Sequence, residues 1–126
     1  MELDIDGSSL VRRLTVHRHI ETEASRRLAP FADRIGAVRV RLRERASTTP
    51  TRALCGIGVT LEPRDAAAGA WVLGRAEDDD PCAAVDRALG HIVKALGEEI
   101  LRRDREQASR TRALLDFAQT GVVHRA

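Results

Sequence analysis

Apolar and polar positions change their period several times along this chain, and each change marks an element. Leu3 and Ile5 alternate with Asp4 and Asp6 before Gly7, Ser8 and Ser9 break the run, which predicts a short strand over Glu2 to Asp6. From Leu10 the period lengthens. Leu10, Leu14, His17, Glu21, Ala24, Leu28, Phe31 and Ile35 fall near one helical meridian, with Ile20 at its flank. A helix from near Arg13 to Ile35 is expected, kinked where Pro30 crowds the carbonyl of Arg26 and closed by Gly36 in the left-handed region. A division that keeps Leu14 and Val16 in a strand and starts the helix near Thr22 ranks below it.

Ala37 to Arg43 alternates without exception, with Val38, Val40 and Leu42 on one face and Arg39, Arg41 and Arg43 on the other. Ala46 to Thr51 reads as a polar hairpin connection. Ala53 to Leu61 follows as a third strand, turning Cys55, Ile57, Val59 and Leu61 inward. Gly56 and Gly58 then face outward and leave the outer surface bare. Glu62 to Gly69 forms the next turn and Ala70 to Ala76 the fourth strand. Asp80 is placed to cap a long second helix, with Pro81 at its first position and Glu77, Asp78 and Asp79 near its positive end. Val85, Leu89, Ile92, Leu96 and Ile100 make its apolar stripe, and the helix is expected to reach Arg105 or beyond. Ala113, Leu114 and Phe117 keep some helical potential that the closing segment QTGVVHRA loses. The chain therefore divides into a domain over residues 1–106 and a mobile tail over residues 107–126.

The order β-α-β-β-β-α, with one alternating sheet and two striped helices, predicts an α+β fold. It is a two-layer sandwich with a four-stranded mixed sheet and both helices on one face. A right-handed crossover makes the first two strands parallel neighbours, and two hairpins extend the sheet antiparallel. At 126 residues there is room for one modest core, and aromatics are only 2%, so Phe31 and Trp71 are assigned to it with the aliphatics. The 21 basic and 19 acidic side chains balance to +2, so any case for nucleic acid rests on patches. No run of 18 apolar residues is present and no signal peptide is visible at the N-terminus, so no membrane association is expected. Cys55 and Cys82 lack metal spacing and fit a reducing cytoplasm. A disulfide between them is one reading, two small buried hydrophobes the preferred one.

Three basic rows stand out. Arg87, His91 and Lys94 share a face of the second helix, with Arg102 and Arg103 further along. Arg12, His19 and Arg26 recur every seven residues on the first helix, opposite its core stripe. Arg39, Arg41 and Arg43 form a ridge on the outer face of the sheet. The two helical rows suit phosphates, whose neutralisation releases counterions, the sheet ridge beside Gly56 and Gly58 suits a partner or a backbone, and each is also compatible with an ordinary solvated face. The run Glu77 to Asp80 offers oxygens to a hard cation, but its carboxylates diverge and capping accounts for Asp80. Cys82 near a helix N-terminus is placed where thiolate is favoured, yet no base accompanies it. His17 falls on the apolar meridian as a boundary histidine with a partner. No nucleophile, base and oxyanion site come together, so neither an enzyme nor a cofactor or metal is expected.

FADRIGAVRVRL (Phe31 to Leu42) and AEDDDPCAAVDRAL (Ala76 to Leu89), in this order of elements, resemble the ribosome hibernation promoting factor and ribosome-associated inhibitor family. The resemblance spans about residues 2–104, with Ala83, Ala84, Val85 and Asp86 matching the family's A-A-[IV]-D element. It implies a non-enzymatic, cytoplasmic factor that binds the small ribosomal subunit and its rRNA in resting or stressed cells and inhibits translation. The contacts it implies are Arg12, His19, Arg26, Arg87, His91, Lys94, Arg102 and Arg103 on rRNA phosphates. A short-type member is implied, because the segment after Gln107 is too short for the dimerisation domain of long members. A weak homodimer through a sheet edge or the tail is compatible with it. Two features depart from the family: Cys82 stands where an aromatic is usual, and Lys94 is the single lysine. They favour an alternative, a degenerate member of the fold that serves as a protein-interaction module. A double-stranded RNA-binding module has a related order of elements but lacks the first strand.

Overall fold

The computed structural model describes residues 1–7, 13–45, 52–62 and 71–125, with side chains through residue 118. The expected turns at 46–51 and 62–69 fall almost wholly outside the described residues, as does Arg12. The elements are β1 (Glu2–Gly7), α1 (Leu14–Leu28), a 3₁₀ turn (Ala29–Phe31), β2 (Ile35–Arg45), β3 (Arg52–Leu61), β4 (Val72–Asp78) and α2 (Pro81–Arg125). The four strands form one sheet in the order β1-β2-β3-β4. β1 runs parallel to β2, and β2–β3 and β3–β4 are antiparallel. This is the two-layer α+β architecture expected of the sequence. The chain comprises two compact units, Met1–Ala95 and Leu96–Ala126.

Alternation does its work in the strands. Val38, Val40 and Leu42 of β2 and Cys55, Ile57, Val59 and Leu61 of β3 are buried on the inner face. The helices supply Val16, Ile20, Ala24 and Leu28 from α1 and Ala84, Val85, Ala88, Leu89 and Ile92 from α2. Close approach of α2 to β4 is permitted by Gly74, where a Cβ would lie 2.9 Å from Ile92 Cγ1 and 3.1 Å from the Ala88 carbonyl oxygen. His19 of α1 bonds Asp86 of α2, so the helices lie side by side on that same face.

Several expectations are corrected. The buried stripe of α1 is Val16-Ile20-Ala24-Leu28 and Leu14 is 61% exposed, whereas His17 is, as expected, a boundary histidine with a partner, Glu21. Pro30 does not kink a longer helix; α1 ends at Leu28 and Pro30 sits in the 3₁₀ turn, where its missing N–H costs nothing. Phe31, in that turn, is only half-buried. Gly36 is not a left-handed cap but a strand residue beside an irregularity between Ile35 and Val38. There the Thr60 hydroxyl accepts the Ala37 N–H at 2.8 Å, and a Cβ on residue 36 would come within 2.9 Å of that same oxygen. A positive φ occurs instead at Gly7, at the end of β1.

Trp71 is also absent from the core. It lies on the outer face of the sheet, where its Cε3 and the Leu73 Cδ2 stand over Gly58 and bury it, leaving only Gly56 bare. Finally, α2 continues as helix to Arg125, past the point where helical potential was expected to fail.

Candidate nucleic-acid interface

The acidic turn before α2 is consumed by the fold. Asp80 Oδ1 accepts the Cys82 N–H at 3.1 Å, the N-cap bond that the sequence implies, and Asp80 N–H donates to Asp78 Oδ1 at 3.0 Å. Arg87 Nη1 donates to the Glu77 carbonyl at 3.3 Å and lies 3.4 Å from Asp78 Oδ2. Glu77 takes Arg45 at 3.2 Å and Arg52 at 3.4 Å, and Asp79 takes Arg52 at 3.3 Å. Each of the four carboxylates thus meets an arginine or a backbone N–H, and Glu77 and Asp79 share Arg52. Among the described residues no cluster of three or more His, Cys, Asp or Glu side chains could hold a metal ion.

A polar seam joins the two helices. His19 Nε2 and Asp86 Oδ1 are 2.7 Å apart, and Arg27 Nη1 donates to the Asp86 carbonyl at 3.0 Å. Glu23 completes it, accepting Arg26 at 2.6 Å and Arg27 at 3.2 Å. The Arg26 hydrogen bond, with help from Arg27, holds the Glu23 carboxyl below its usual range, and Glu23 in turn raises Arg26. His19 therefore borders the core instead of standing opposite it. Arg26 remains 64% exposed and can exchange its carboxylate for a phosphate at small cost, because exposed pairs contribute little. Arg27, which the seven-residue row passes over, joins His19 in binding the helices together. Arg18, also outside that row, is exposed and unpaired among the described residues.

On α2 the basic row lies at the surface. Arg87, His91 and Lys94 are all exposed, and His91 and Lys94 have no hydrogen-bond or ion-pair partner among the described residues. The second unit is different. Arg102 is held between Glu99 at 2.7 Å and Glu106 at 2.6 Å, and Arg103 donates to Glu99 at 3.0 Å. Hydrogen bonds from Arg102 and Arg103 pull the Glu99 carboxyl down to about 2. Arg103 is mostly covered, its side chain 16% exposed, so this pair is spent on stiffening the helix.

The cysteines carry no reactive site. Both are free thiols, Cys55 buried and Cys82 half-buried. Burial pushes the Cys55 thiol up to about 12. Cys82, expected to be lowered by the helix N-terminus, is raised instead, first by burial and then by the charges of Asp80 and Asp86. The carboxylate that caps the helix thus adds to burial in disfavouring the thiolate. Among the described residues no helix is long and apolar enough to cross a membrane.

With this geometry in hand, the fold can be set beside known structures. The chain superposes on a ribosomal subunit interface protein from Coxiella burnetii with a TM-score of 0.63 at 17% identity, covering 80% of this chain and 99% of that one. The N-terminal domain of Protein Y from Thermus thermophilus matches with a TM-score of 0.56 at 23% identity, covering 75% of this chain and 93% of that domain. The fold is therefore shared with both. No family model and no curated protein matches the sequence.

Proposed function

We propose that this chain is a non-enzymatic factor that binds the small ribosomal subunit and restrains translation in resting or stressed cells. The observation that carries the reading is the near-complete coverage of a ribosomal subunit interface protein by this fold. The motif blocks at Phe31–Leu42 and Ala76–Leu89 and the exposed row Arg87-His91-Lys94 support it. On this reading Arg26, Arg87, His91 and Lys94 meet rRNA phosphates, His19 orients Asp86 at the seam, and the protein works in the cytoplasm. Arg12 is a further candidate, and Arg102 and Arg103 would first have to exchange Glu99. A second reading, a protein-interaction module on the same fold, is favoured by one observation: many arginines are already bonded to carboxylates of the same chain.

Sedimentation of lysate through a sucrose gradient separates the two. Ribosome binding predicts co-migration with the small subunit and an affinity that falls steeply with salt, by roughly 0.7–0.9 logarithmic units per phosphate neutralised for each tenfold rise in salt. Reversing charge at Arg87 and Lys94 should weaken association more than reversal at Arg110 and Arg112. A folded, abundant protein absent from ribosomal fractions in growing and resting cells alike would leave the interaction module.

A further inference from the structure

The outer face of the sheet is not an inert back. Directly opposed residues form rows across it: Asp4-Arg39-Gly58-Leu73, and next to it Asp6-Arg41-Gly56-Arg75. Acids thus line the β1 edge, arginines run along β2, glycines along β3, and Leu73 and Arg75 along β4. Beside Trp71 and Leu73, which cover Gly58, lies an open trough of about 360 Å³ with Gly56 in its floor, lined also by Arg39, Arg41 and Arg75. At one end the Arg39 guanidinium carbon sits 4.8 Å from the Trp71 ring centroid. At the other, Arg41 and Arg75 stand across Gly56 with their Cα atoms two strand spacings, roughly 10 Å, apart. Leu73 is 69% exposed between them.

We propose that this trough binds single-stranded nucleic acid, with the sugar–phosphate chain over Gly56 and a base stacked on the Trp71–Arg39 pair. Stacked aromatic and guanidinium planes beside a cationic track are what a single strand requires, since every base has a π-face and every nucleotide a charge. The arginines are available. Arg39 and Arg41 are 3.8 and 3.9 Å from Asp4 and Asp6, long exposed contacts that a phosphate displaces readily, and Arg75 is unpaired among the described residues. The floor is available too, because a Cβ at Gly56 would meet nothing within 4 Å. An acidic peptide fits less well. Peptides added to sheets draw affinity from main-chain hydrogen bonds at an edge, and β3 is already paired on both sides. The inference goes beyond ribosome association and does not rest on it, since free oligonucleotide is the probe.

Fluorescence anisotropy of the full chain with labelled single-stranded RNA of about 12 nucleotides, and with a duplex of equal length, tests it. The single strand should bind about ten-fold or more tightly than the duplex. Binding should quench the emission of Trp71, the single tryptophan of the chain. Arg41→Glu with Arg75→Glu, or Trp71→Ala, should weaken binding about ten-fold or more. Gly56→Leu should do the same by filling the trough, and its open surroundings keep the fold intact, as circular dichroism will show. Equal affinity for the duplex, or binding indifferent to Gly56→Leu in a folded variant, overturns the proposal. So does displacement of the RNA by polyglutamate at a lower concentration than by unlabelled single strand, which would assign the trough to an acidic protein.

Discussion

Two glycines on neighbouring strands should respond to the same mutation with opposite signs. At Gly74 of β4 an added methyl would meet Ile92 Cγ1 at 2.9 Å, the Ala88 carbonyl oxygen at 3.1 Å and the Ile92 nitrogen at 3.2 Å. Two of these atoms are helix backbone, and the third belongs to a side chain with no exposed surface. No rotamer change relieves the clash, so α2 must lift from the sheet. Overpacking of this kind costs about 1–3 kcal/mol, from which the usual gain of replacing glycine, about 0.4–1 kcal/mol, is subtracted. At Gly56 of β3 the methyl enters open space, and only the gain remains. Gly74→Ala should therefore lose up to about 2.6 kcal/mol and Gly56→Ala gain up to about 1 kcal/mol. Urea unfolding with an unchanged m-value measures both as shifts in midpoint. Equal effects at the two sites, or a stabilised Gly74→Ala, would refute the packing of α2 on β4.

Other outcomes follow from the same geometry. Leu89→Ala, at a position with no exposed surface, should cost about 2–5 kcal/mol in urea unfolding, and a near-neutral result would mean that the stripe of α2 is not core. Deleting residues 107–126 should leave the thermal midpoint nearly unchanged, because Leu114, Leu115 and Phe117 are 70%, 59% and 78% exposed; a fall of many degrees would contradict that. Iodoacetamide at pH 8 should leave Cys55 unmodified and label Cys82 more slowly than a free thiol, as mass spectrometry will show, since burial raises both. Glu99 is depressed to about 2 from 4.5, so its contribution to stability is fully present above pH 4.5 and lost as pH falls through about 2. The stability difference between the native chain and Glu99→Gln should accordingly be flat above neutral-to-mildly acidic pH and shrink toward pH 2; a difference that persists there would rule out the Arg102–Glu99–Arg103 link.

How much of this was legible in the residues depends on the period of the element. In β2 and β3 a period of two leaves only two choices of face, and hydrophobicity decides between them, so Val38 through Leu61 read correctly. The same alternation places Trp71 with Leu73 and Arg75 on the outer face, against the compositional argument that so scarce an aromatic belongs inside. Helices are less forgiving. At 100° per residue, the expected face of α1 and the buried row Val16-Ile20-Ala24-Leu28 share Ala24 and Leu28 but differ in direction by roughly 60°. A stricter count would have preferred the second row, which is wholly apolar, over one containing His17 and Glu21. That rotation has a functional consequence. It carries His19 from the far side of the helix to the border of the core, where Asp86 meets it.

Charge pairing was the least legible layer, because its partners are far apart in sequence. Glu77 meets Arg45 and Arg52 across the sheet, and Asp86 meets His19 and Arg27 across the helix seam. No spacing rule predicts such meetings. Their effect is to sort the arginines by availability: a row of like residues read from sequence becomes one held in pairs, as at Arg102 and Arg103, and one without a partner among the described residues, as at Arg75. For phosphate binding the distinction matters more than the count. A paired arginine must give up a carboxylate before it can take a phosphate, so its net gain is the difference between two similar contacts. The cations without a partner among the described residues, Lys94 and His91 on α2 and Arg75 on the sheet, gain the whole of theirs, and reversing one of them should therefore weaken anion binding more than reversing Arg102.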